Sequence, residues 1–226
     1  KVMELSSIPF SALAGVGVAS PGPLNVSKGT IQYVATLRWE NVPIRDILKN
    51  RLNVPVFLEN DCNAAAFAES LIGAGKDYKD LIYITVSTGI GCGIVIDKKI
   101  YHGKHDSAGE FGHICMESEG RLCLCGNKGC LQAYASGTAI AEIANEKING
   151  GAKDRILAPF KKRELNSQTV AEAAKKGDKR AKEIFMQAGE KLGRGISVLL
   201  QLLDPEIVIL GGGVSESWDL FYEPMM

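Results

Sequence analysis

The sequence predicts an α/β fold. Short apolar runs rich in β-branched residues recur along the chain, and stretches with helical spacing separate them. Several of the runs end in asparagine, aspartate or glycine clusters, at the strand ends where ligands of such folds gather.

Residues 14–20 (AGVGVAS) read as a buried strand with close backbone neighbours, running into the rigid turn Pro21, Gly22, Pro23. Residues 43–52 have helical spacing, with Pro43 suited to a first turn. Residues 54–58 form a short strand, and Asn60 and Asp61 follow at its end. The alanine-rich run 62–72 is a helix, with Asp61 placed as its N-cap. Residues 81–86 and 91–96 are buried strands joined by a glycine-rich turn. Helices follow at 137–148 and 169–176, and residues 179–203 form one long amphipathic helix. Its glycines, 189, 193 and 195, either weaken it or admit a close packing partner. Residues 205–210 are a last buried strand, ending in Gly211, Gly212 and Gly213. A composition shift over 73–80 marks a hinge, which predicts two lobes, 1–78 and 79–226.

The chain has 226 residues, enough for one large or two modest domains with a real core. Its 26 basic and 26 acidic side chains give zero formal charge, and no basic block appears. A nucleic-acid surface within this chain is therefore not expected. No apolar run approaches the roughly 18 residues that a bilayer span needs. The reading is a folded cytoplasmic protein with no membrane partner.

One imidazole and three thiols, His113, Cys123, Cys125 and Cys130, fall close together with Gly126 and Gly129 between them. Four soft N and S donors suit a closed tetrahedral zinc site, structural rather than catalytic because no position is left for water. Buried apolar thiols or a disulfide are the competing readings, and Cys115 is a spare ligand on the same side if this stretch is a strand. Glu110 precedes His113 by one helical turn, so a metal-braced loop would present a carboxylate and an imidazole together.

Residues 85–93 (TVSTGIGCG) combine hydroxyls with glycines and read either as a phosphate cradle or as an ordinary hairpin turn. The 211–213 run reads as a nucleotide's close approach or as a tight strand–helix turn. Asp61 reads as a helix cap, and equally as the carboxylate that orients a hydroxyl and accepts its proton in phosphoryl transfer. Asn60, Glu110 and His113 would supply the further donors and acceptors that a polyhydroxylated sugar requires.

Four motifs occur in order: LENDCNAAA from Leu58, STGIGCGIV from Ser87, AGEFGH from Ala108, and CLCGNKGC from Cys123. Together they resemble the ROK family of repressors, open reading frames and sugar kinases. That resemblance implies a two-lobed, actin-like (ribonuclease H-like) ATPase fold with a zinc-binding loop, usually dimeric. It implies ATP- and Mg2+-dependent phosphorylation of a hexose, commonly glucose at its 6-hydroxyl. Asp61 would be the general base, and Asn60, Glu110 and His113 would hold sugar hydroxyls, with His113 also a zinc ligand beside Cys123, Cys125 and Cys130. Thr88 and Gly89 would lie near the ATP phosphates, Gly212 and Gly213 near the adenosine, and Gly22 in the loop over the sugar.

The chain departs from the family pattern in two places. Family kinases usually carry a glutamate contacting the sugar two residues after the last cysteine, and Gln132 stands there. The first phosphate loop, an Asp-x-Gly-Gly-Thr turn, is expected upstream of Lys1, and a closing helix beyond the adenosine patch is not expected before Met226. The chain then reads as a fragment. Two functions follow: a glucokinase-like hexose kinase, or the sugar-sensing domain of a ROK repressor whose DNA-binding helices would lie upstream.

Overall fold

The structure is a computed structural model that describes residues 6, 9–34, 37–149 and 165–226. Three sheets organise it. β1 (Val16–Ser20) pairs in parallel with β5 (Val56–Asn60), and β2 (Leu24–Asn25), β3 (Thr30–Val34) and β4 (Trp39–Val42) form an antiparallel meander. β6 (Leu81–Val86), β7 (Ile90–Ile96), β8 (Lys99–Ile100) and β9 (Ile207–Gly211) form a sheet of order β8-β7-β6-β9, in which only β6 and β9 run parallel.

The helices are α1 (Ile44–Leu52), α2 (Asp61–Ile72), α3 (Gln132–Ala135), α4 (Gly137–Asn149), α5 (Ser167–Lys175), α6 (Lys179–Leu203) and α7 (Trp218–Met225). Strand periodicity divides β6 between two cores. Ile82, Ile84 and Val86 join the main core with Ile140, Val170, Ile184, Phe185 and Leu192 of α4, α5 and α6. Leu81 faces the other way, packing with Val95 and with Ala66 of α2. Both faces are covered, which is why the strand reads as a continuous apolar run.

Helix α2 lies directly on β7 because two residues of that strand have no side chain. A Cβ on Gly91 would overlap Cys62 Sγ, and one on Gly93 would sit 2.5 Å from the Cys62 carbonyl oxygen and 2.6 Å from Ala66 Cβ. These two glycines of the predicted cradle thus serve packing. The same device places α7 against α6, where a Cβ on Gly189 would meet the Phe221 carbonyl at 2.5 Å and one on Gly193 would overlap Met225. Gly195 admits Phe111 Cζ at 2.9 Å. Close partners, not weakness, account for all three glycines. Among the described residues no helix is long and apolar enough to cross a membrane.

Several expectations shift. β1 is half-exposed rather than buried, and a Cβ on Gly17 would meet nothing within 4 Å. Only β5 pairs with it among the described residues, which leaves its other edge open. β5 starts at Val56, after Pro55, which has no N–H to donate to a ladder. The cap of α2 is Asn60, whose Oδ1 accepts from Cys62 N (2.9 Å) and Asn63 N (3.2 Å), while Asp61 is the first helical residue. The helix expected after the glycine run is present, as α7. Around the 73–80 segment, Lys98 Nζ donates to the carbonyls of Ser70 (2.7 Å), Gly75 (3.2 Å) and Lys76 (2.7 Å), and Glu206 Oε2 accepts from Asp80 N at 2.9 Å.

Gly93→Ala should destabilise the fold by about 1–3 kcal/mol, since the added methyl meets backbone that cannot move aside. Gly17→Ala should stay within about 0.5 kcal/mol of wild type. Urea unfolding of the two variants checks the contrast.

Candidate functional site

The registers bring four strand ends together. Ser20 pairs with Asn60 and Thr85 with Gly211, so β1 ends level with β5 and β6 level with β9, and residues after β1, β5 and β6 face one another. A cavity of about 760 Å³ lies there. Pro21 and Gly22 line it from the β1 turn, Asn60 and Asp61 from the start of α2, and Ser87, Thr88 and Gly89 from the β6–β7 turn. Glu110, His113 and Gln132 complete the wall. Asp61 and Glu110 therefore share one crevice. The Gly22–Pro23 peptide bond is cis.

A second cavity of about 410 Å³ adjoins the first, lined by Ser87, Thr88, Thr138, Glu142, Asn145, Asn166, Ser167 and Gly213. Ser87 and Thr88 belong to both walls. Gly213 faces the second cavity, and a Cβ built on it would meet nothing within 4 Å. Gly212 has φ +89°, and its Cβ would come 2.7 Å from Thr85 Oγ1, so it packs beneath β6. Gly89 lines the first cavity. Neither wall carries a lysine or arginine among the described residues.

Asp61 stands in the first turn of α2, where the helix dipole favours a carboxylate, and its Oδ1 accepts from Cys62 N at 2.9 Å. The Asn60 carbonyl oxygen is spent on capping, so its amide nitrogen, beside Gly22, is the group left to donate. Burial and then the Asp61 carboxylate push the Cys62 thiol up to about 12, and burial does the same for Cys92. Both cavity thiols stay neutral, which excludes them as nucleophiles at neutral pH.

Sequence reasoning missed the groups that hold this wall. Glu59 accepts from Asn60 N (2.8 Å) and Asn63 Nδ2 (3.1 Å) and pairs with His102 Nε2 at 2.7 Å. Asp106 Oδ2 accepts from Val26 N at 3.0 Å. The loop after β8 thus reaches both smaller sheets. Glu142, Asn145 and Asn166 of the second cavity carried no motif, although Asn166 and Thr169 form a capping box legible in sequence.

The four expected metal donors converge. One ligand atom each from His113, Cys123, Cys125 and Cys130 lie within 4.8 Å of one another. Cys125 Sγ and Cys130 Sγ are 3.6 Å apart, and His113 Nδ1 is 3.8 Å from Cys123 Sγ. Those edges are what tetrahedral bonds of about 2.3 Å to sulfur and 2.0 Å to nitrogen require, so the donor set fits zinc. Cys115 falls outside this group: its Sγ lies 3.7 Å from the Lys128 carbonyl oxygen, and its backbone forms a β-bridge with Cys130. Burial and the neighbouring thiols push Cys130 up to about 12, whereas the Asn127 backbone N–H holds Cys125 below the usual thiol range. Clustered thiolates repel, and a cation relieves that repulsion.

Gly129 makes the loop possible. Its φ is +75° and a Cβ would overlap the Glu117 carbonyl. Glu117 in turn accepts from Lys191 of α6 and from Tyr134 Oη, and Lys191 is the chief cause of its lowered pKa. His113 turns its Nδ1 to the sulfurs and its Nε2 toward Glu110 Oε2 at 3.8 Å.

Asn60→Ala should lower the unfolding free energy by about 1 kcal/mol, because the cap is lost. Asp61→Asn should cost less, at most about 0.5 kcal/mol from the dipole term. Denaturant titration ranks the two.

A family model described as ROK family matches residues 5–226. The xylose repressor of Caldicellulosiruptor bescii is 34% identical over 213 residues, covering 94% of this chain and 53% of that protein. The glucokinase of Halalkalibacterium halodurans is 36% identical over 217 residues, covering 95% of this chain and 66% of that protein. A ROK family glucokinase from Streptomyces griseus, solved in complex with glucose and AMPPNP, superposes with TM-score 0.82 at 34% identity, covering 94% of this chain and 70% of that one. The chain spans about half the length of the repressor and about two thirds of the glucokinase. With its motifs, its strand-end cavities and a family match over nearly its whole length, this chain belongs to the ROK family.

Proposed function

We propose that the chain carries the sugar site and part of the nucleotide site of an ATP-dependent hexose kinase, with glucose as substrate and glucose 6-phosphate as product. The carrying observation is the shared wall: Asp61 lines one cavity, a second cavity adjoins it, and Ser87 and Thr88 separate the two. A kinase needs that layout, because acceptor and donor must meet in line across a narrow boundary. The relative solved with glucose and AMPPNP supports the same reading. The two-lobed actin-like arrangement and a homodimer belong to the proposal as well.

In the reaction, Asn60 Nδ2, Glu110 and His113 Nε2 hold sugar hydroxyls. The Asp61 oxygen not bonded to Cys62 N accepts a hydrogen bond from the reacting hydroxyl. As the sugar oxygen bonds to phosphorus, the bond from phosphorus to the leaving diphosphate breaks, and the hydroxyl proton passes to Asp61. An ordinary carboxylate suffices, because the transition state is loose and deprotonation is late. Backbone N–H groups of the Ser87 to Gly89 turn face the phosphates, and Gly213 leaves room for the adenosine. With no lysine or arginine in either wall among the described residues, Mg2+ would supply the charge neutralisation when bound.

Zinc on His113, Cys123, Cys125 and Cys130 would be structural, since four protein donors leave no open position. Its effect on this chain is to fix the His113 ring between the sulfurs and the cavity.

A second reading is favoured by the 34% identity to a xylose repressor: the same cavity would serve as a sugar sensor without turnover. Coupled ADP release over a hexose panel, measured on the protein that carries this chain, separates the two. The kinase reading expects turnover that Asp61→Asn lowers by about 100-fold or more while glucose affinity stays within a few-fold. Sugar binding with no ADP release from any hexose leaves only the sensor.

Metal analysis should find about one zinc per chain. Cys125→Ser should lower zinc content and glucose affinity together. Unchanged glucose affinity in the zinc-free protein would separate metal from sugar.

A further inference from the structure

Among the polar side chains that line the first cavity, Asn63 is the most deeply buried, with 5% of its surface exposed. It stands in the first turn of α2, three residues after the cap Asn60. Its Nδ2 donates to Glu59 Oε1 at 3.1 Å, and the same oxygen accepts from Asn60 N at 2.8 Å. Among the described residues no group bonds to Asn63 Oδ1, and none of their buried side-chain nitrogens or oxygens lacks a partner. The oxygen is therefore not sealed in the protein; it opens on the cavity that Asn63 lines. A polar atom so placed is satisfied by whatever fills the cavity, water or ligand.

The amide is oriented from behind. Glu59 Oε1 already accepts one N–H, so Asn63 meets it with its donor nitrogen and turns its acceptor oxygen away. Rotation of the Glu59 carboxylate is opposed at its other oxygen, where His102 Nε2 stands at 2.7 Å. His102 is itself fixed at the neck of the loop after β8, where its carbonyl accepts from Ala108 N at 3.0 Å. We infer that Asn63 is a specificity-determining residue whose Oδ1 accepts from one hydroxyl of the bound sugar, and that Glu59 and His102 are positioning residues that hold the amide in that orientation. The inference rests on the sugar reading above. Asn60 Nδ2 and Asn63 Oδ1 then offer one donor and one acceptor, the pair that two neighbouring hydroxyls engage.

The test is a set of cycles between side chain and hydroxyl. Calorimetric titration measures glucose and each of its monodeoxy analogues against the protein that carries this chain. Binding is read in this way whether the site turns over or only senses. Asn63→Ala should weaken glucose by about 3–10-fold, the range for one lost hydrogen bond. It should leave a single analogue, the one without the partner hydroxyl, within about two-fold of its wild-type affinity. A general distortion of the site would weaken every sugar alike. His102→Leu should single out the same analogue with a smaller loss for glucose, and His102→Gln, which can still donate to Glu59, should bind as wild type does. Should Asn63→Ala not fold by circular dichroism, His102→Leu, at a partly exposed loop position, carries the cycles. Equal losses for all the sugars in the folded variants, or no loss for glucose, overturns the inference and leaves the sugar reading standing. A His102→Leu variant that binds every sugar as wild type does overturns it as well. Wild-type protein that binds neither glucose nor any analogue overturns it together with the sugar reading.

Discussion

The bare backbone of β7 at Gly91 and Gly93 is the constraint on which the site depends. Without side chains there, α2 descends until its Cys62 and Ala66 touch the strand. That descent brings the first residue of α2 to the turn that follows β6, so a carboxylate and a hydroxyl-rich loop share one cavity. Any larger residue at either position would lift the helix and separate them. A packing requirement in a strand thereby becomes a distance requirement in a site.

The metal loop follows a similar logic with different chemistry. Its thiols are drawn together by a chain reversal that Gly129 permits, and the loop is pinned to α6 through Glu117 and Lys191. His113 then has one nitrogen committed to the sulfurs, which orients the other toward Glu110. Fixing an imidazole this way costs little rotamer entropy on ligand binding, since its freedom is already lost in the fold.

Much of this was legible in the sequence, for identifiable reasons. β6, the long helix and the alanine-rich helix announce themselves because burial on one or both faces imposes a hydrophobic period. The four metal donors were legible because ligand spacing is local. The meander of β2, β3 and β4 was not read, being built from strands as short as Leu24–Asn25 with no period long enough to register. The cap of α2 was placed one residue late because Asn60 and Asp61 are both good caps, and only the backbone angles decide between them. Glu59 with His102, and Asp106 with the Val26 amide, join residues far apart in the chain, so no local pattern could reveal them.

Lys98 gives the geometry its last consequence. Its ammonium gathers three carbonyls at the far end of α2 and just beyond it, while Gly91 and Gly93 hold the near end against the same sheet. The helix is thus riveted along its length to the four-stranded sheet. In the proposed reaction the proton acceptor and the phosphate-side loop belong to one stationary anvil. The spacing between Asp61 and the Ser87 to Gly89 turn is therefore set by how the helix packs on the sheet, before any ligand arrives.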